Sequence, residues 1–206
     1  MNAALNHSKA PAADLVYALP SILDRLQLAD LFPVAQPLEV ELGSGDGSFL
    51  LSYAHQHPER NMIGVERLLG RIRKLDRKGR RLGLSNLRGV RIECSYFLQY
   101  LLPPHSTDAL HVYFPDPWPK KRHRKHRLIN DSFPSLAEQA LKPRGWVHLR
   151  TDDQDYFDQM TNVFKVANGF ESVETPKGLV SIMTDFERDF VAERILTKRC
   201  SYRLRG

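Results

Sequence analysis

Residues 38–47 read Leu-Glu-Val-Glu-Leu-Gly-Ser-Gly-Asp-Gly, a short apolar-rich run that passes directly into three closely spaced glycines. The first half predicts a β-strand, because short apolar runs that end at a turn signal suit buried strands. Glycines allow a sharp turn and let backbone N–H groups come close to a ligand. The stretch therefore predicts a strand, a tight turn and then a helix over residues 46–57.

Strands and helices alternate outward from this stretch. Strands are predicted over residues 37–42, 61–66, 87–94, 109–114 and 145–151, and helices over residues 46–57, 67–82, 126–141 and 153–167. This alternation predicts an α/β fold, a mostly parallel twisted sheet with helices on both faces. Such sheets bind ligands beyond the carboxyl ends of their strands, where the strand order reverses.

The two ends of the chain are expected to differ from this core. A tail over residues 1–10 and a helix within residues 12–29 are predicted to form an N-terminal segment, residues 1–34. Residues 35–206 would then form one domain. Its last part, residues 170–204, contains strand-like pieces around the sequence Thr-Asp-Phe-Glu at 184–187.

Positive charge is concentrated in two segments, residues 67–81 and 120–127. They hold fourteen of the thirty Lys and Arg residues and one of the twenty-four acids, Asp76. Elsewhere sixteen cations face twenty-three acids, an excess of seven negative charges. Two basic segments on an acidic body suit a polyanion bound on one face. The first segment could equally be a solvated helix face.

Several function classes are disfavoured by the composition. No apolar run approaches the roughly 18 residues that would span a bilayer, and the N-terminus lacks the pattern of a signal peptide. The two cysteines, Cys94 and Cys200, have no metal-ligand spacing. We therefore expect a cytoplasmic protein with free thiols, without a membrane span and without a metal.

The glycine-rich turn and the acids that follow the strands predict a nucleoside-binding site. Gly43, Gly45 and Gly47 are spaced GxGxG, whereas a dinucleotide fingerprint would need a third glycine at Ser48. Glu66 ends the second strand, where a carboxylate can accept hydrogen bonds from ribose hydroxyls. Either feature alone could be structural, a tight turn or an acid at a helix start. Together they favour a cofactor site.

The most specific stretch of the chain is residues 113–127, Tyr-Phe-Pro-Asp-Pro-Trp-Pro-Lys-Lys-Arg-His-Arg-Lys-His-Arg. Two prolines stiffen the backbone around Asp116, and six cations follow within eight residues. This stretch resembles the signature of the tRNA (guanine-N(7)-)-methyltransferase family. The resemblance extends over about residues 38–190 and includes the glycine turn, Glu66, the segment that ends at Glu93, and residues 151–153 and 184–187.

The resemblance implies a Rossmann-like class I methyltransferase that uses S-adenosyl-L-methionine, releases S-adenosyl-L-homocysteine and forms 7-methylguanosine in tRNA, at position 46 of the variable loop. Asp116 would be catalytic. The cofactor would be held by Glu41, Gly43, Gly45, Gly47, Glu66, Glu93 and Asp116. Substrate would contact Lys120, Arg122, Arg124, Arg127, Asp152, Thr184, Asp185, Phe186 and Glu187. Glu93 stands where the family usually has Asp, one methylene shorter.

Alternatives remain at several of these positions. Asp116 could be a turn-forming Asp before Pro, Thr184 and Glu187 could form a helix capping box, and Trp118 could be part of the core. A non-catalytic RNA-binding protein on a methyltransferase fold is the alternative function. The chain could act as a monomer or a homodimer.

Overall fold

A computed structural model describes residues 14–206, and the predicted tail over residues 1–10 lies outside this range. The described strands are β1 (Val16–Tyr17), β2 (Leu38–Leu42), β3 (Asn61–Val65), β4 (Leu87–Val90), β5 (Thr107–Tyr113), β6 (Leu141–Thr151), β7 (Phe170–Val173) and β8 (Lys198–Leu204). They form one sheet of order β1-β4-β3-β2-β5-β6-β8-β7. Strands β1 to β6 pair in parallel, and β8 pairs antiparallel with β6 and β7. The predicted mostly parallel sheet is confirmed.

Helices follow the strands as the alternation predicts. They are α1 (Leu28–Leu31), α2 (Ser48–Gln56), α3 (Leu69–Arg81), α4 (Cys94–Tyr96), α5 (Phe133–Ala140), α6 (Gln154–Val166), α7 (Lys177–Ser181) and α8 (Asp185–Ala192). A π-helical turn, Phe97–Leu101, continues α4, and a 3-10 helix covers Lys121–His126. One apolar cluster includes side chains of α5, α6 and the π-helical turn, and a second includes side chains of α2, α3 and α7. Both faces of the sheet are therefore covered.

The strand order reverses between β2 and β5. From β2 the chain proceeds to β3 and β4 on one side, and it returns to form β5 on the other. A crevice at the carboxyl ends of β2 and β5 is therefore the expected ligand position. The glycine turn after β2 and the Pro-Asp-Pro turn after β5 both follow these strand ends.

The predicted helix within residues 12–29 is wrong for most of its described part. Val16 and Tyr17 pair with β4 as the edge strand β1, and the only helical part is α1. The backbone between β1 and α1 forms a hydrogen bond outside any helix: Leu26 N donates to Leu101 O over 2.8 Å. Pro20 locks its own φ and has no N–H to continue a helix.

Two further boundaries differ from the sequence prediction. The helix predicted over residues 126–141 begins only at Phe133, because Asn130 Oδ1 accepts from Ser132 N over 3.0 Å and forms a turn there. Leu141 already belongs to β6. The strand predicted over residues 87–94 ends at Val90, because Glu93 starts α4. Around residues 184–187 the strands β7 and β8 flank two helices. Helix α7 was not predicted, whereas α8 begins at the helix cap that was one of the two alternatives for Thr184 and Glu187.

Candidate active site

The glycine turn leaves β2 in a left-handed conformation. Gly43, Gly45 and Gly47 have φ values of 76°, 57° and 84°, which L side chains rarely adopt. The N–H groups of Gly43 and Ser44 both donate to Val65 O over 2.9 Å, which fastens the turn to β3. A Cβ at Gly43 or Gly45 would meet no atom within 4 Å. The turn therefore exposes bare backbone to open space at the carboxyl end of β2.

Glu66 lies directly against this turn. Its buried carboxylate accepts from Gly45 N over 3.1 Å and from Leu68 N over 2.7 Å. It thus connects the glycine turn to the segment that begins α3. A carboxylate has about four lone-pair positions, so Glu66 keeps acceptor capacity for a ligand beside the turn.

Glu41, on β2, is buried with its Oε2 atom unpartnered among the described residues. Burial raises the pKa of this carboxyl well above its usual value; the charge of Arg150 opposes that rise, and the charges of Asp46 and Glu66 add to it. A buried acid without a partner is costly, and a cation beside it would remove that cost. Glu41 therefore fits a ligand that carries positive charge.

Glu93 begins α4 as its N-cap. Its two oxygens accept from Ser95 N over 3.0 Å and Tyr96 N over 2.8 Å, and its side chain is exposed. Its neighbour Cys94 lies close to the glycine turn: burial raises the thiol pKa to about 12, the charge of Glu93 adds to this, and the Gly43 backbone opposes it. The structure thus brings the Glu93 segment to the same turn as Glu41 and Glu66.

The turn after β5 is strained on both sides of Asp116. Phe114 and Trp118 have φ values of 52° and 42°, which for bulky residues costs about 1–3 kcal/mol each and is characteristic of functional sites. Phe114 N donates to Arg150 O over 2.9 Å. Pro117 O accepts from Arg127 Nε over 2.6 Å. The strained turn is therefore fixed on each side of Asp116.

Asp116 itself is exposed at the apex of this turn. Its carboxylate forms no hydrogen bond or ion pair with any residue of the described range 14–206. A rigid backbone with a free carboxylate is the arrangement expected of a group that contacts a ligand, and it goes beyond what a turn-forming Asp needs.

Arg127 was predicted to bind RNA, and its position in the structure contradicts that prediction. Its side chain is fully buried. Besides Pro117 O, it donates to Gln159 Oε1 over 2.7 Å and to Asp155 Oδ2 over 2.6 Å, and it lies over the Tyr156 ring at 4.6 Å. Its donors are directed into the protein, so Arg127 supports the Pro-Asp-Pro turn from behind and is not available to a phosphate.

The other cations of this segment remain accessible. Lys120 and Arg122 are exposed, and Arg124 is half-buried and pairs with Asp155 Oδ1 over 2.7 Å. Trp118 is 37% exposed and packs against His123 and His126, with ring centroids 5.8 and 5.3 Å apart. It is therefore partly a packing residue and partly an open aromatic surface next to Asp116.

The Thr-Asp-Phe-Glu sequence divides into buried and exposed residues. Thr184 and Glu187 form the capping box that starts α8. Glu187 is also buried, and it accepts from Arg150 Nη1 over 2.7 Å and from Arg199 Nη2 over 2.6 Å. Thr184 and Glu187 are therefore corrected from predicted substrate contacts to structural residues, because their polar groups are used inside the protein. Asp185 and Phe186 are exposed.

Phe186 brings this sequence to the Pro-Asp-Pro turn. Its ring lies 6.0 Å from that of Phe114, and Phe190 of α8 lies 5.5 Å from Phe114. Asp152 lies at the end of the neighbouring strand β6; its carbonyl accepts from Lys198 Nζ over 2.8 Å, and its half-buried carboxylate has no partner among the described residues. Asp153, not Asp152, caps α6. Asp116, Asp152 and Phe186 therefore lie together at the carboxyl ends of β5 and β6.

Arg150 is a central residue that the sequence analysis missed. This buried β6 side chain donates to Glu187 Oε2 and, over 2.9 Å, to Ile182 O, and it lies over the Tyr113 ring at 4.1 Å. It connects α8 to the two strands that end at the site. The sequence signal would have been its period-two alternation with His148 around the apolar Val147 and Leu149, which places both polar side chains on one face.

Metal binding has no support in the described part of the chain, where no group of three or more His, Cys, Asp or Glu side chains could hold an ion. The described helices also include none that is long and apolar enough to cross a membrane.

Comparison with known proteins identifies related sequences. Residues 35–198 match the protein-family model described as "Putative methyltransferase". The tRNA (guanine-N(7)-)-methyltransferase of Nitrosococcus oceani is 41% identical over 148 residues, 72% of this chain and 63% of the relative. That of Halorhodospira halophila is 34% identical over 185 residues, 87% of this chain and 80% of the relative. The chain thus spans less than two thirds of the length of some of its relatives.

Solved structures with the same fold are more distant in sequence. The 16S rRNA methyltransferase KamB aligns with a TM-score of 0.60 at 14% identity, over 87% of this chain and 93% of the other. The [4+2]-cyclase SpnF aligns with a TM-score of 0.57 at 12% identity, over 86% and 78%. The fold is therefore the Rossmann-like fold of class I methyltransferases, and this likeness shows the fold alone.

Proposed function

Because the chain belongs to the family of tRNA (guanine-N(7)-)-methyltransferases, we propose that it transfers a methyl group to N7 of a guanine in tRNA. The observation that carries this proposal is the strained, doubly anchored turn that presents the free carboxylate of Asp116 beside the glycine turn. Position 46 of the variable loop is the site that the family resemblance implies.

S-adenosyl-L-methionine is the proposed methyl donor, and it supplies a methyl group on a positively charged sulfur. The residues present suit it. Gly43 and Gly45 leave open space for a ligand close to the backbone, Glu66 can accept from ribose hydroxyls, and Glu41 lacks a partner that a cationic ligand would provide. Gly47 completes the turn, and Glu93 would accept from the adenine amino group.

Guanine N7 has a free lone pair that points to the major-groove edge of the base. It needs no general base before it accepts a methyl group, so the protein has to orient the base and stabilise the positive charge that develops on it. We assign both tasks to Asp116. Its carboxylate can accept from base N–H groups, and its negative charge offsets the charge of the methylated purine.

Residues around Asp116 would bind the substrate. Lys120, Arg122 and Arg124 would contact the RNA backbone beyond the turn, and Asp152, Asp185 and Phe186 would contact the base; the exposure of Lys120, Arg122, Asp185 and Phe186 supports this assignment. Trp118 offers an open aromatic face for stacking. An enzyme of tRNA with free cysteines is expected to act in the cytoplasm, as a monomer or a homodimer.

The test is incubation of the protein with unmodified tRNA transcript and S-adenosyl-L-methionine labelled in the methyl group, followed by nucleoside analysis. We expect labelled 7-methylguanosine, lost when the target guanine is replaced in the transcript. Tight tRNA binding without cofactor binding or methyl transfer would support the non-catalytic RNA-binding alternative. Transfer to another atom would reject N7 as the target.

A further inference from the structure

The basic helix α3 has an outer face of four cations. Ile72, Leu75 and Gly79 form its buried face. At 3.6 residues per turn, the side chains of Arg73, Lys74, Arg77 and Arg81 lie within an arc of about 100° opposite that face, over a length of about 12 Å. All four are exposed. We call these four residues the α3 stripe.

Ion pairing separates the stripe from the other cations of the helix. Lys78 pairs with Asp46 over 2.7 Å and Arg80 pairs with Asp14 over 2.6 Å. None of the four stripe residues lies within 4.0 Å of a carboxylate of residues 14–206. The nearest acid in the helix sequence, Asp76, is directed inward, where it accepts from Leu15 N over 2.7 Å. The stripe is therefore a surface of uncompensated positive charge.

A helix face that only contacts solvent does not require four neighbouring cations without acids among them. Arg73, Arg77 and Arg81 follow one another at i, i+4 spacing, and like charges at this spacing destabilise a helix by about 0.2–0.5 kcal/mol per pair. Solvated helix faces usually intersperse acids with the cations. A local arrangement that lowers helix stability without compensation inside the protein is expected at functional surfaces.

The helix is held next to the cofactor site. Lys78 binds Asp46, which belongs to the glycine turn, and Glu66 accepts from Leu68 N at the start of α3. On the inner side, a Cβ at Gly79 would collide with Leu15, so the helix is closely packed in place. The stripe thus projects outward from a helix that is fixed to the glycine turn.

We propose that the α3 stripe is a second tRNA-binding surface, which contacts the phosphate backbone of the tRNA body while the segment after Asp116 contacts the region of the target base. This inference rests on the proposed function for the identity of the polyanion. The two basic segments follow β3 and β5, which lie on either side of β2 in the sheet. The stripe extends along α3 away from the carboxyl ends of these strands, so a folded RNA bound there would also have to cover the outer side of α3.

The experiment is a salt series of tRNA binding without cofactor, with the wild type and a variant in which Arg73, Lys74, Arg77 and Arg81 are all replaced by Gln. Glutamine keeps the helix propensity close to that of Arg and Lys. Because each phosphate contact contributes about 0.7–0.9 to the slope of log K against log salt, we expect the slope to fall by roughly 3 and the affinity at 150 mM salt to fall at least about tenfold. Cofactor affinity and the melting temperature should change little.

A charge-matched comparison separates specific contact from net charge. Arg73→Gln with Arg77→Gln removes two charges from the stripe, and Arg144→Gln with Lys165→Gln removes two exposed charges elsewhere. Only the first pair should reduce the slope. Equal slopes for the fourfold variant and wild type, or equal losses for the two pairs, would overturn the stripe as an RNA surface even if methyl transfer is observed. Loss of slope in a protein that never methylates tRNA would support the stripe and reject the proposed reaction.

Discussion

Arg127 donates through Nε to the carbonyl oxygen of Pro117 over 2.6 Å, so a fully buried guanidinium fixes the backbone of the turn that presents Asp116. The other nitrogens of the same group bind Gln159 and Asp155 on α6. The rigidity of the turn therefore depends on a residue that cannot itself reach the substrate. This arrangement suits an enzyme that has to orient a base, because small errors of position reduce the rate steeply.

Arg127→Lys is expected to reduce methyl transfer. Lysine keeps the charge but cannot form the three-way contact of the planar guanidinium. We expect kcat to fall about 10- to 100-fold and the slope of tRNA binding against salt to stay unchanged. Arg124→Gln removes the neighbouring partner of Asp155 and a proposed phosphate contact, so it should keep most of kcat but lower the slope of tRNA binding against salt. A decrease of the salt slope in Arg127→Lys with normal kcat would show that Arg127 contacts phosphate after all.

Glu187→Gln is expected to destabilise the protein. The buried carboxylate accepts from Arg150, Arg199 and the backbone of Thr184, and removal of one partner from such a buried cluster costs about 3–5 kcal/mol. Urea unfolding should show this loss, whereas Asp185→Asn, at the exposed neighbouring position, should change stability by less than about 0.5 kcal/mol. A stable Glu187→Gln protein that fails only in substrate binding would contradict the structural role.

His148 predicts a pH dependence of stability. Burial, with a smaller contribution from His111, lowers its pKa from 6.5 to about 3, so between these values the unfolded chain binds a proton that the folded protein does not. The stability that neutral His148 provides is therefore lost as pH falls from 6.5 towards 3, at about 1.4 kcal/mol per pH unit.

The difference in unfolding free energy between wild type and His148→Gln, measured by urea unfolding from pH 7 to pH 4.5, should show this slope. Titrating groups that do not interact with His148 cancel in the difference. The measurement stops at pH 4.5 because the charge of Glu39 acts on His148, and this carboxylate titrates in the unfolded chain around and below that pH. Burial raises its pKa, but His111 and Arg60 lower it more, to about 2. A flat difference for His148→Gln would contradict the neutral buried state.

Glu66→Gln is expected to weaken cofactor binding at least about tenfold, because the amide has one acceptor oxygen where the carboxylate has two. The amide can still accept from one of the two backbone donors, Gly45 N or Leu68 N, which helps to keep the turn folded. Calorimetric titration with S-adenosyl-L-homocysteine measures the change, and tRNA affinity should not move. Glu59→Gln, at an exposed acid, is the control. Unchanged affinity in Glu66→Gln would remove Glu66 from the cofactor site.

The sequence predicted the fold well where local patterns determine structure. Apolar runs such as residues 38–42 and the helical spacing of α3 produced the right elements, because their periodicity reflects which face is buried. The helix predicted within residues 12–29 is wrong because Val16 and Tyr17 pair with β4, and this tertiary pairing outweighs the helical spacing of the apolar residues. No local pattern indicates that an edge strand will form from two residues.

The site was predicted less completely, since a residue type does not say where its side chain points. Asp116, Glu41 and Glu66 are close to the expected edge of the sheet because strand ends determine their position. Arg127 looked like one more cation of a basic segment, yet it is buried beneath the turn. Thr184 and Glu187 matched both a capping box and a substrate motif, and only the buried ion pairs with Arg150 and Arg199 distinguish the two roles.

We assign the reaction to Asp116, which lies on a turn whose geometry does not depend on its own side chain. The most direct test is methyl transfer in a single turnover by Asp116→Ala and wild type, with both tRNA and S-adenosyl-L-methionine saturating and the product nucleoside identified. We predict that wild type forms 7-methylguanosine, that the variant is slower by at least about 100-fold, and that its melting temperature is unchanged. Formation of 7-methylguanosine at the wild-type rate by Asp116→Ala would contradict this account.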